Sequence, residues 1–380
     1  MTHDEQGHRV VVLGAGYAGL LTAKRLARRV CRSGVSVTLV NGESGFVERI
    51  RLHQVAAGQT VTDLPLARLL AGTGAELIVG TVTGIDLAGR KVRVGEKMIG
   101  YDTLVYSLGS MTGVDGVPGA AEHAVTLSGP AAARQLATRL RALDERRGTV
   151  VICGGGPTAI EAAAEFAESY PDLTVRMITK GGPGASFSPR AGRYIRKQLD
   201  RLGVEVTADA EVARVEPDGV ALVGGVRVRA DVTVWCAGFT VPALARHIGL
   251  AVDAAGRILV DQTLRSVSHP DVYAVGDAAA ASGRWGDALA YGCRSGGFTG
   301  PYAADTVAAR LTGRATEPFR FRYFHQCISL GRRRGLIQFV RGADDSPKWS
   351  ILRGRLAALY KEAVSSSAVW LMRHPGPYLR

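Results

Sequence analysis

Cysteine is scarce and scattered. Five residues, Cys31, Cys153, Cys236, Cys293 and Cys327, occur singly among 380, with no CxxC pair and no histidine at ligand-like spacing. That distribution argues against a zinc site or any other resident metal and against a paired-cysteine redox centre. Long apolar runs are also missing: no stretch of 18 or more uncharged apolar residues occurs, so no membrane-crossing helix is expected. The first residues, Met1 to His8, are polar and carry two acids where a secretory leader needs cations and then an apolar run. Together with the odd, sparse cysteines this predicts a reducing cytoplasm. Lysine is rare as well, 7 of 47 cations, leaving 40 arginines against 34 acids and a net charge of +13.

What is present describes a folded protein. With 46% hydrophobic and 21% charged residues the chain is globular, and its length accommodates two or three domains. The excess charge is uneven. From Arg320 to Arg380 there are 12 cations and 3 acids, so the last 61 residues hold +9 of the +13. Trp349, Leu352, Leu356, Tyr360, Trp370 and Leu371 are interleaved with those cations, a composition suited to an anionic membrane surface. No nucleic-acid-binding module accompanies the charge, and no nucleic-acid partner is expected.

The chain contains an internal echo. The short apolar run Arg9–Leu13 leads into Gly14-Ala15-Gly16-Tyr17-Ala18-Gly19, then a helical pattern (Leu20, Ala23, Leu26, Ala27, Val30) and a second strand pattern over 35–40. A GxGxxG between strand and helix is a dinucleotide-binding fingerprint. Its glycines allow the turn, the approach of a pyrophosphate and helix–strand packing, while the helix N-terminus offers free N–H groups. At Thr149–Cys153 the pattern recurs: Gly154-Gly155-Gly156-Pro157-Thr158-Ala159 follows, then a helical pattern through Ile160, Ala163, Ala164 and Ala167, and a strand over 174–179. Two nucleotide sites in one chain point to two cofactors between which a hydride passes. Three further strand-and-turn stretches complete the set, Tyr101–Ser110 ending in Gly109-Ser110, Val232–Phe239 containing Gly238, and Asp271–Ala278 containing Gly276-Asp277.

In this order and spacing the motifs resemble two-dinucleotide-binding flavoprotein reductases, the pyridine nucleotide-disulfide oxidoreductase superfamily, and most of all type II NADH:quinone oxidoreductases. The resemblance implies an α/β fold with two Rossmann-like domains, one for FAD and one for NADH or NADPH, the second inserted in the first, plus a C-terminal α+β segment. The expected bounds are 1–112 and 231–312 for the FAD domain, 113–230 for the NAD(P)H domain and 313–380 for the basic C-terminal segment. It implies FAD along Gly14–Gly19, with Asp277 on the ribityl chain, Asn41 where an acid usually meets the adenosine ribose, and Arg49, Leu52, His53 and Gln54 near the flavin. Glu161 corresponds to an acid close to where nicotinamide meets flavin; a helix-dipole charge is the alternative reading. Thr179-Lys180 replaces the acid of an NAD-preferring site, so either coenzyme is admitted.

The implied reaction is hydride transfer from NAD(P)H to FAD followed by two-electron reduction of a quinone-like small molecule. The family carries glutamines in an alanine-rich helix after the GDxA strand. Here Ala288–Gly296 has none, and Ala290, Cys293 and Arg294 are the candidates for the acceptor site. A biosynthetic flavoenzyme with a dedicated metabolite, or a redox sensor without turnover, fits the same motifs. Peripheral contact with the inner face of the cell membrane through 320–380 is the expected partner surface; the sequence leaves monomer or homo-oligomer open.

Overall fold

The computed structural model describes residues 7–283 and 286–374; the leader reading of Met1 to His8 falls mostly, and the charge of Arg380 wholly, outside the described residues. The chain opens as the pattern predicts. β1 (Arg9–Leu13), α1 (Tyr17–Val30) and β2 (Ser36–Asn41) form a βαβ unit. A 3-10 turn (Arg49–Arg51), α2 (Leu52–Ala56) and α3 (Leu66–Leu70) lead to β3 (Glu76–Val79). An antiparallel trio, β4 (Val82–Asp86), β5 (Lys91–Val94) and β6 (Lys97–Gly100), returns the chain to β7 (Thr103–Tyr106), and it leaves the domain through β8 (Met111–Thr112).

The second unit repeats the first. α4 (Ala120–His123), β9 (Ala124–Thr126) and α5 (Pro130–Glu145) precede the second βαβ: β10 (Thr149–Cys153), α6 (Pro157–Ser169) and β11 (Thr174–Ile178). Next come α7 (Pro189–Arg201), β12 (Glu205–Thr207), another antiparallel trio of β13 (Val212–Glu216), β14 (Gly219–Leu222) and β15 (Arg227–Arg229), and then β16 (Val232–Trp235). β17 (Phe239–Thr240) runs antiparallel to β8, so the two crossings between domains are stitched together. After α8 (Leu244–His247), β18 (Val272–Ala274) and α9 (Cys293–Leu311) complete the first domain. A three-stranded sheet of β19 (His325–Ser329), β20 (Gly335–Val340) and β21 (Pro347–Gly354) and the helix α10 (Arg355–Arg373) end the described chain.

The two main sheets are parallel throughout, ordered β18-β7-β1-β2-β3 and β12-β11-β10-β16-β9. Strands buried on both faces need continuous apolar runs, which β1 and β10 supply. Their loops both point from the carboxyl ends of the central strands, where doubly wound sheets bind ligands. One boundary shifts. The sequence reading returns the chain to the first domain at 231, yet Val232–Trp235 pairs with Val150–Cys153 inside the second sheet. The apolar strand VTVW is the counterpart of β7, and the return comes only at β17. A second difference concerns 288–292, expected as helix: α9 starts at Cys293 because Gly292 takes φ +139°.

The C-terminal segment belongs to both domains. Ile328, Leu330 and Leu336 pack into the core around α6, while Val340 and Met372 pack into the core around α1.

Candidate functional site

The first glycine loop is shaped by contacts a Cβ would destroy. Gly14 has φ +91°, and a Cβ there would stand 2.6 Å from the Ser107 carbonyl oxygen; one at Gly19 would run into the Gly14 carbonyl and Ser107 Oγ. Gly16, by contrast, has nothing within 4 Å of its would-be Cβ. It precedes α1, whose first turn has neither a capping side chain nor an acid, so the N–H groups are left for an anion. Ala15 N–H donates to Asn41 Oδ1 (2.8 Å), and Asn41 Nδ2 donates to the Glu43 carbonyl (2.8 Å). Asn41 thus ties the loop to the end of β2. The Tyr17 ring stands edge-on to Phe46 at 5.1 Å, and its hydroxyl is buried without a partner, its pKa pushed well up by burial. Ala18 lies under Gly296 and Gly300, whose missing side chains bring α9 onto α1.

Asp277 sits at the centre of this end of the fold. One carboxylate oxygen accepts from Ser110 Oγ (2.6 Å); the other accepts from the Gly292 N–H (2.7 Å) and Ser295 Oγ (3.2 Å). It therefore anchors the start of α9. Ser110, reached through Gly109 at φ +67°, accepts an Arg49 N–H on its carbonyl, so Arg49, Ser110, Gly276, Asp277 and Gly292 converge. An open glycine-and-helix cradle, an orphaned tyrosine hydroxyl and a strand-end carboxylate fit a dinucleotide of the flavin kind.

The second loop fits a second dinucleotide. Gly154 (φ +139°) abuts the Cys236 backbone, Gly156 is open, Pro157 and Thr158 begin α6, and Ala159 is fully buried where the fingerprint has its third glycine. Thr179, at the end of β11, has its hydroxyl against Gly155; Lys180 points outward and pairs with Glu211 (3.0 Å). Gly238 (φ +74°) turns the chain from β16 into β17. Cys153 is strand core, its thiol pushed up to about 12 by burial.

Where the first domain, α6 and the C-terminal helix meet lies a polar cluster that the sequence only half shows. Glu161, on the second turn of α6, forms an ion pair with Lys361 of α10, accepts the Ser329 N–H at 2.9 Å and stands 3.9 Å from His53 Nδ1. The Glu161 and Lys361 side chains are 10% and 9% exposed. Burial, then the neighbouring Arg51, pulls the Lys361 ammonium down from the lysine range; burial, then Lys361, Arg332 and Arg51, holds His53 well below the usual imidazole value. His53 is thus neutral, with Nε2 unpartnered. One helical turn on, Glu165 is fully buried, bonded to Gln59 on one oxygen and unpartnered on the other. A groove of about 810 Å³ between residues 48–64 and α10 is lined by Arg51, Gln59, Arg332, Glu362 and Trp370 and lies beside this network. Lys361 and Glu165 were not singled out in the sequence. A signal for Lys361 exists: Ala357, Lys361, Ser365 and Met372 are the buried residues of α10, so a lysine occupies a core position of a 3.6-residue pattern.

The acceptor candidates are held more closely than expected. Arg294 lies 4.0 Å over the Tyr323 ring and donates to the His325 carbonyl (2.7 Å), Tyr323 OH reaches the Ala290 carbonyl at 3.5 Å, and the half-buried Cys293 thiol is raised by burial. Arg294 thus fastens α9 to the start of the C-terminal sheet, Tyr323 ties Ala290 to the segment before it, and Cys293 packs on the core around α1. Among the described residues no group of three or more His, Cys, Asp and Glu is placed to hold a metal.

Two parallel dinucleotide folds, one inserted in the other, each with a glycine cradle at the carboxyl end of its central strand, define a two-nucleotide oxidoreductase. The sequence pattern of the pyridine nucleotide-disulphide oxidoreductases matches residues 8–295, and the chain belongs to that family. It is 31% identical over 344 residues to an NADH dehydrogenase-like protein of Mycobacterium tuberculosis, covering 85% of this chain and 86% of that one. It is 25% identical over 391 residues, 95% of each chain, to a type II NADH:quinone oxidoreductase of Staphylococcus epidermidis. In fold it is similar to NDH2 from Plasmodium falciparum in complex with NADH, with a TM-score of 0.80 and 13% identity over 98% of this chain and all of that one. The family implies a flavin and a nicotinamide nucleotide.

Proposed function

We propose that the protein is an FAD-dependent NAD(P)H oxidoreductase of the type II NADH dehydrogenase kind that delivers two electrons to a quinone-like acceptor. When bound, the flavin supplies the electron chemistry, accepting hydride from a nicotinamide and releasing electrons onward. The chain's residues supply binding and position. Gly14–Gly19, with Asn41 securing the loop, cradle one pyrophosphate; Asp277, Ser110 and Arg49 fix the neighbouring end; Gly154–Thr158 cradle the other nucleotide. The observation that carries the reading is the Glu161–Lys361 pair beside neutral His53, where both nucleotide domains and the C-terminal segment meet. Reducing a quinone consumes protons as well as electrons, and a water-poor carboxylate–ammonium pair can hold one and hand it on. The quinone acceptor is carried over from the named activity of the Staphylococcus relative.

An exposed face of the C-terminal segment supports contact with the membrane that houses quinones. Trp349, Leu356, Leu359, Tyr360 and Trp370 are exposed on β21 and α10 among Lys348, Arg353, Arg355 and Arg373. Rings and aliphatic side chains interleaved with cations suit peripheral contact with anionic lipid. Among the described residues no helix is long and apolar enough to cross a membrane.

A second reading, a flavoenzyme with a dedicated small metabolite, is favoured by the absence of glutamines from 288–296 and by the commitment of Arg294 to Tyr323. An anaerobic titration separates them. The quinone reading expects the flavin absorbance to bleach with NADH or NADPH and to recover on adding a soluble quinone. Bleaching without recovery removes the quinone and favours the metabolite; no bound flavin overturns the assignment of the first loop.

A further inference from the structure

In dinucleotide folds an acid about 20 residues after the glycine loop, at the end of the second strand, accepts a hydrogen bond from the ribose 2′-hydroxyl and repels a 2′-phosphate. Here that strand, β11, ends in Thr179-Lys180, which by itself favours the phosphorylated coenzyme. The fold brings a carboxylate to the same place from elsewhere. The Thr179 N–H donates to the Thr207 carbonyl and the Ala210 N–H donates to the Thr179 carbonyl, both at 3.0 Å, so the segment after β12 lies against the end of β11. Asp209 takes a left-handed φ of +54°, which bends that segment, and the Val223 N–H donates to the Glu211 carbonyl at 2.8 Å, fixing the Glu211 backbone two residues on. Glu211 Oε1 then meets Lys180 Nζ at 3.0 Å.

We propose that Glu211 is the specificity-determining acid of the nicotinamide site, supplied from the far side of β12, and that it turns a site whose strand end favours NADPH into one that favours NADH. This rests on the reading of Gly154–Thr158 as the nicotinamide nucleotide loop. The local charge is the sum of Lys180 and Glu211, which is zero, so a 2′-phosphate of about −2 gains nothing from the ammonium that it does not lose to the carboxylate. The second carboxylate oxygen is free of Lys180 and can accept from a 2′-hydroxyl.

The test is the ratio of kcat/KM for NADPH to that for NADH, read from bleaching of the bound flavin and from steady-state turnover. The protein as it stands should favour NADH. Glu211→Gln should raise the ratio about tenfold, less at high salt because both groups are exposed. Adding Lys180→Gln should cancel the gain. Glu216→Gln, which removes a carboxylate paired with Arg214 of its own strand and Arg227 of β15, should leave the ratio unchanged. A ratio within twofold of the parent in Glu211→Gln, while both coenzymes still bleach the flavin, overturns the role of Glu211 alone. If neither coenzyme bleaches a flavin-loaded parent, the nicotinamide site falls and this inference with it.

Discussion

Replacing Glu161 with Gln removes one charge from a pair that is about nine-tenths buried on both sides. The ammonium of Lys361 is then left without its partner, and breaking a buried ion pair costs about 3–5 kcal/mol. Burial already draws the Lys361 pKa down to about 7 in the parent, so loss of its proton relieves part of that cost at neutral pH. Glu161→Gln should therefore lose up to about 3–5 kcal/mol in urea denaturation at neutral pH. Glu161→Gln with Lys361→Met should recover most of it, because both charges leave and methionine refills the volume. Turnover gives the second readout. If Glu161 serves only as the partner of Lys361, the stable double variant turns over normally. The proposed proton-holding role expects it stable yet slow, with flavin content unchanged. A loss below about 1 kcal/mol in the single variant, or additive losses in the double, would refute the reasoning about the pair.

His53 yields a pH prediction. Its folded pKa lies well below 6.5, so its contribution to stability is complete above about pH 6.5 and is lost as pH falls toward the folded value, at up to 1.36 kcal/mol per unit. Buried Glu165, with a raised pKa, acts in the opposite sense, its contribution fading as pH rises through its folded value. The difference between the parent and His53→Gln isolates the first effect: the parent's advantage should shrink steadily below about pH 6.5, and parallel stability–pH curves would contradict it. Asp277→Ala removes the acceptor of Ser110, Gly292 and Ser295 and, with charged-group hydrogen bonds contributing about 1.5–3 kcal/mol each, should purify at least tenfold poorer in flavin. Unchanged visible absorbance would count against it. For the exposed rings, flotation of the protein with vesicles containing phosphatidylserine at low salt is the check; Trp349→Ser with Trp370→Ser should stay at the bottom of the gradient.

The two βαβ units were legible because their signal is local: an apolar run, a glycine turn and a 3.6-residue pattern all lie within about 30 residues. Asp277 was legible for a related reason, a carboxylate at a strand end behind a glycine. The return point at β17 was not, because Val232–Trp235 is as apolar as any central strand and nothing local says which sheet it joins. Glu161 was marked by its place after Gly156, but its partner lies 200 residues away, and only the packing of α10 selects Lys361. Glu211 was invisible for the same reason. Its distance from Lys180 is set by the course of β12 and a left-handed Asp209, not by spacing along the chain.

The division of the C-terminal segment between two cores has a consequence for synthesis. The inserted domain is continuous, and all its strands are made by residue 240, although Ile328, Leu330 and Leu336 join its core only later. The domain begun first must wait for β18 and α9, and Glu161 must wait for a lysine 200 residues downstream. At about 5–20 residues per second the 121 residues from 240 to Lys361 take about 6–24 s. For that time the growing chain carries a nucleotide domain with its sheet made but its inner carboxylate without its lysine. Docking of the last helix, more than closure of either sheet, marks the moment at which the nascent protein stops being two tethered halves.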